Sequence, residues 1–175
     1  MYALFEMSEA IQSFMETGGQ VLTWIAALIF VMWILIFERV AFVRFSYKKY
    51  EREMVAQWEA RTERKSWNAQ QIREAVISRA SNKLNENLPL LNALVALCPL
   101  LGLMGTVTGM IEVFDVMAIS GSGNARSMAS GVSKATIPTM AGMVGALSGV
   151  FASTWLKRVA KRESELLEDH LTMDH

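Results

Sequence analysis

The chain has 175 residues, of which 52% are hydrophobic and 19% charged, and a mean hydropathy of +0.25. That apolar share is high for a soluble domain, and a formal net charge of zero gives no bulk attraction to nucleic acid. A single cysteine, Cys98, excludes an intrachain disulfide, and the two histidines, His170 and His175, both sit in the polar tail, so neither a metal site nor a cofactor is expected.

Residues 1–17 place Leu4, Phe5, Ile11, Phe14 and Met15 near helical spacing, with Glu6, Glu9 and Glu16 between them. This predicts a short amphipathic helix on a membrane surface or against a neighbour. The first apolar run, Val21 to Phe37, reaches only about 26 Å as a helix. A bilayer core of about 30 Å needs about 20 residues, so the run borrows Gly18, Gly19 and Gln20 and the expected span is 18–38. Residues 1–37 contain no Lys or Arg, and Glu38-Arg39 follows in place of a small-residue cleavage site. The run is therefore read as a span and not as a signal peptide. Ile25, Leu28, Ile29, Phe30, Trp33, Ile34 and Leu35 suit it to lipid.

Residues 39–87 contain neither Pro nor Gly, and Glu alternates with Lys and Arg. This predicts two helices with many i,i+3 and i,i+4 ion pairs, broken near Arg64 to Asn68, with Ser66 or Asn68 capping the second. Val55, Trp58, Trp67, Ile72, Val76 and Ile77 need cover that only other helices can give. A second span is expected at 88–117, built on the apolar run Leu88 to Ile111. A loop follows at 118–131, with its turn at Ser120 to Asn124. The third span is expected at 132–156, apolar from Ala135 to Leu156, and residues 157–175 continue it as a polar helical tail.

The basic residues set the orientation. The 38–87 segment carries Arg39, Arg44, Lys48, Lys49, Arg52, Arg61, Arg64, Lys65, Arg73, Arg79 and Lys83, and the tail carries Lys157, Arg158, Lys161 and Arg162. The amino-terminal arm has none, and the 118–131 loop has only Arg126. The positive-inside rule puts the 39–87 region and the tail in the cytoplasm, and the amino terminus outside.

Spans two and three differ from plain anchors. Gly102, Gly105 and Gly109 share one face of span two, and Gly142, Gly145 and Gly149 share one face of span three. Small residues let backbones approach closely in lipid. Packing between these two spans explains one such stripe; two matched stripes favour a multi-helix assembly. Thr106 and Thr139 lie at nearly equal depth beside these stripes. They either ring a lumen formed by several copies or bond back to their own helices. None of the three apolar runs contains Asp, Glu, Lys, Arg or His. The chain therefore cannot relay protons by its own side chains, and a partner must supply any carrier. The spans also lack a nucleophile–base pair, so no enzyme activity is expected.

The stretch from Leu97 to Ile111, with its core Pro99, Gly102, Leu103, Gly105, Thr106, Val107 and Gly109, resembles the signature of the MotA/TolQ/ExbB proton-channel family. The block Gly131 to Gly142 resembles that family's third span. Three spans match ExbB and TolQ rather than the four-span MotA. The resemblance implies an all-α membrane protein with long cytoplasmic helical extensions, assembled as a ring, typically a homopentamer. Spans two and three would line a pore holding an ExbD-like single-span subunit, whose intramembrane Asp carries the proton past Thr106 and Thr139. A TonB-like protein would pass the work to outer-membrane import, which places the chain in the bacterial inner membrane. The alternatives are a TolQ-like subunit of the Tol-Pal envelope system and a passive scaffold without proton coupling. Two positions depart from the family pattern. Lys134 stands where ExbB and TolQ commonly have a glutamate, so Lys134, Glu112 and Asp115 are candidate outer-rim charges without an inherited role. Pro138 is unusual and is expected to kink or loosen span three.

Overall fold

The computed structural model describes residues 2–61, 63–64, 66–120 and 125–171. Gly121 to Asn124 of the expected turn, Lys65 and His175 lie outside the described residues, as do the side chains of Leu4, Phe5 and Phe14. The described residues form helices and no strand: α1 (Tyr2–Ala41), a π-helical segment (Phe42–Tyr47), α2 (Lys48–Glu59), α3 (Trp67–Asn85), α4 (Leu88–Ser120) and α5 (Ala125–His170). Three stretches, Gly19–Glu59, Trp67–Ile119 and Met128–His170, are long and apolar enough to cross a membrane.

Local chemistry explains the breaks. Gly19 adopts φ 65° and ψ −163°, which only glycine holds without strain, and it divides α1. Ser66 caps α3, its Oγ accepting from the Ala69 N–H at 3.2 Å. The gap before α3 opens at Ala60, earlier than the break expected at Arg64 to Asn68. The backbone leaves helical geometry again at Glu86, and Asn87 takes φ 65°. Asparagine tolerates that left-handed conformation better than most residues. Pro89 then sits in the first turn of α4, where no backbone donor is needed. Helices α4 and α5 run unbroken through Pro99 and Pro138.

The chain forms two compact units. The first comprises residues 1–33 and 93–150. Leu22, Ile25 and Met32 of α1 are buried there, whereas Trp24, Phe30 and Val31 are exposed. The expectation that α1 is wholly lipid-facing, Ile25 included, is therefore corrected: one side of the helix is core. The glycines of the other two helices let it approach, which the composition of α1 alone does not show.

The second unit comprises residues 34–92 and 151–175. Trp58, Ala69, Ala80, Leu167 and Leu171 form its core, with Tyr50, Met54, Val55, Val76 and Ile77 packed around them. The tail of α5 thus supplies the cover that Trp58, Val55, Val76 and Ile77 require. Arg73 holds the α5 end, its Nε donating to the Leu171 carbonyl at 2.7 Å and its Nη2 to the Glu168 carbonyl at 2.9 Å. His170 Nδ1 lies 3.2 Å from Glu51 Oε1 on α2. Trp67 stays 74% exposed, against the expectation that it needs cover.

Candidate functional site

The seam between α4 and α5 in the first unit is built on absent side chains. A Cβ on Gly102 would lie 2.9 Å from Thr139 Cα, and one on Gly109 would lie 2.7 Å from Ala135 Cβ. A Cβ on Gly105 would meet the Pro138 ring at 2.4 Å. Pro138 therefore fills the groove left by a glycine of the facing helix. On α5, a Cβ on Gly142 would lie 2.5 Å from the Cys98 carbonyl oxygen of α4. A Cβ on Gly145 would meet Ile29 Cδ1 of α1 at 2.4 Å, and one on Gly149 would meet both Met32 Sδ of α1 and Val95 Cγ2 of α4 at 2.5 Å. Both stripes are occupied by packing among three helices of one chain. The stripes thus serve a multi-helix packing within one chain, which by itself neither requires nor excludes assembly with further copies.

This close approach brings the two threonines together. Thr139 Oγ1 donates to the Gly102 carbonyl across the seam at 2.8 Å. Its proton is then committed, so the contact between the Thr106 and Thr139 hydroxyls has Thr106 as donor. Neither hydroxyl bonds back to its own helix. Thr108, Thr136 and Ser148 do so, to Met104 and Gly105, Ser133 and Gly145 respectively. Both Thr106 and Thr139 are half-buried. Beside them Leu103, Val107, Met140 and Met143 are exposed apolar side chains.

The three candidate rim charges are not drawn together. Lys134, Glu112 and Asp115 are all exposed, and among the described residues no ion pair joins Lys134 to either acid. Among the described residues no group of His, Cys, Asp or Glu is arranged to hold a metal ion.

The model of the MotA/TolQ/ExbB proton channel family matches residues 36–169. The chain belongs to this family. Its curated relatives carry ExbB names. The biopolymer transport protein ExbB-like 1 of Synechocystis is 42% identical over 77 residues, covering 42% of this chain and 30% of the relative. The biopolymer transport protein exbB1 of Vibrio cholerae is 37% identical over 91 residues, covering 51% and 40%. The biopolymer transport protein ExbB of Xanthomonas campestris is 34% identical over 88 residues, covering 50% and 34%. The chain thus spans less than half the length of these relatives. No solved structure matches it. Three long apolar helices together with ExbB-type relatives make this MotA/TolQ/ExbB family member an integral membrane protein.

Sequence reasoning missed Arg39, which it used only as a marker of orientation. In the second unit this guanidinium is 3% exposed. Its Nη1 donates to the Lys83 carbonyl in the last turn of α3 at 3.0 Å. Glu38 and Glu86 lie 3.6 and 3.9 Å away, and the Phe42 ring centroid lies 5.2 Å below it. Arg39 Nε has no hydrogen-bond partner. The available signal was its position directly after the apolar run, where a long side chain can turn back onto a neighbouring helix end.

Proposed function

We propose that this chain is an ExbB-type wall subunit of a proton-motive-force-driven complex in the bacterial inner membrane. Copies of it form a ring, a pentamer in this reading, around a single-span partner of the ExbD type that carries an intramembrane Asp. The work passes through a TonB-like protein to outer-membrane nutrient import. The amino terminus faces the periplasm, and the 39–87 region and the tail face the cytoplasm.

One observation carries this reading: two hydroxyls meet at the α4–α5 seam, on helices whose apolar runs contain no Asp, Glu, Lys, Arg or His. Hydrogen-bond donation to a carboxylate favours its ionised form. Thr139 is tied to Gly102, so Thr106 is the hydroxyl free to turn. A partner carboxylic acid arriving here would lose its proton to water on the cytoplasmic side, and the carboxylate formed would accept the Thr106 hydroxyl bond. On leaving, it would give that bond back to Thr139 and take up a proton on the other side. The ExbB names of the relatives favour this reading over a TolQ-like role.

The test is uptake through a TonB-dependent transporter in cells carrying Thr106→Val or Thr139→Val. Each variant should abolish or severely reduce uptake while the protein stays in the membrane. Intact uptake in both would remove the pore assignment. Uptake that persists after a protonophore collapses the gradient would favour a passive scaffold instead.

A further inference from the structure

Within the second unit, α2 and α3 pack on the α5 tail and also border an open groove. The face toward the α5 tail is satisfied: Arg73 pairs with Glu168, Glu51 pairs with His170, and Leu167 and Leu171 are buried. Bordering the core residue Trp58, α2 and α3 also line a groove with a cavity of about 240 Å³. Tyr50, Met54, Val76 and Ile72 line it with apolar surface, and Arg61 and Arg79 stand at its rim. Both arginines are exposed, and among the described residues neither has an ion-pair partner. Lys83, over the Tyr50 ring at 5.6 Å, extends the same cationic edge. Glu53 is the single acid that lines the groove.

We propose that this groove docks an acidic amphipathic helix of a partner protein. Apolar side chains of that helix would lie along Met54, Val76 and Ile72, and its carboxylates would reach Arg61 and Arg79. Two antiparallel helices offer a third one a ridge-lined bed, and the 12-residue α2 is long enough for about three turns. The charge of the rim selects the sign of the partner. A lipid headgroup does not fit, because Tyr50 lies roughly 20 Å along the helix beyond Phe37, the end of the apolar run. A nucleic acid does not fit an apolar floor that also carries Glu53.

The experiment uses the full chain in detergent micelles and two fluorescent synthetic helices of about three turns. Both carry a leucine stripe; one is flanked by glutamates and the other by lysines. The acidic peptide should bind saturably, and Arg61→Glu with Arg79→Glu should weaken it at least about tenfold while conferring binding of the lysine peptide. Circular dichroism checks that this variant is folded, and Arg61→Gln with Arg79→Gln replaces it if it is not. Absence of saturable binding to the wild-type chain would overturn the proposal, as would binding that ignores peptide charge. A change of assembly size in light scattering on charge reversal would also overturn it, because a second copy would then occupy the groove. No proton flux enters this assay, so its failure leaves the pore reading untouched.

Discussion

Gly142→Ala and Gly145→Ala remove the same type of residue from one stripe, yet only the first should be strongly destabilising. At Gly142 the new Cβ would stand 2.5 Å from the Cys98 carbonyl oxygen and 3.2 Å from Gly102 Cα. Both are backbone atoms of α4, so the two helices must separate by something like an ångström to restore normal contact. That separation lengthens the Thr139 bond to Gly102 and loosens the seam along its length. Overpacking of this kind costs about 1–3 kcal/mol, and the backbone obstacle puts the expected loss at the upper end, about 2–3 kcal/mol. At Gly145 the obstacles are Ile29 Cδ1 at 2.4 Å and Cγ1 at 2.7 Å, atoms of one side chain that can shift at a cost of about 0.5–1.5 kcal/mol, whereas backbone cannot. Alanine also gains about 0.5–1 kcal/mol over glycine inside a helix, so the net effect there should lie within about 1 kcal/mol of zero. Unfolding of the purified chain by a denaturing detergent, followed by helix content, measures both. If Gly142→Ala proves as stable as Gly145→Ala, the close approach of α5 to α4 at Cys98 is wrong.

Arg39→Met should destabilise the second unit by about 1.5–3 kcal/mol, since it removes a charged hydrogen bond to the Lys83 carbonyl; thermal unfolding monitored by circular dichroism reads the loss. Leu167→Ala should cost about 2–5 kcal/mol at a fully buried site and expose the α5 tail to protease first. Ser66→Ala should cost about 1 kcal/mol by removing the α3 cap, and Ser66→Asp should restore it; melting temperatures of the two variants test this.

Helix type and the three long apolar segments were legible in the sequence because hydropathy and helix-forming composition act locally. The two glycine stripes were legible as close-approach surfaces for the same reason. What they approach was not legible. Gly145 and Gly149 receive Ile29 and Met32 of α1, and no pattern within α1 distinguishes those two from the exposed Phe30 and Val31. The threonine depth match was visible from the antiparallel order of spans two and three, but the donor direction depends on the Gly102 carbonyl, a backbone group that carries no sequence signal. Arg39 shows the same limit from the charged side. An arginine at the end of an apolar run reads as a solvated anchor until the helix whose carbonyl it reaches is known to lie beside it. Pro138 shows how the two limits combine. In isolation it reads as a kink, because it removes a backbone donor. Against Gly105 it is a ring filling a vacancy, so the residue that weakens its own helix also packs that helix onto its neighbour. The α4–α5 seam and the threonine contact it creates therefore depend on pairs of residues that are each unremarkable alone: Gly105 with Pro138, Gly142 with the Cys98 carbonyl, and Thr139 with the Gly102 carbonyl.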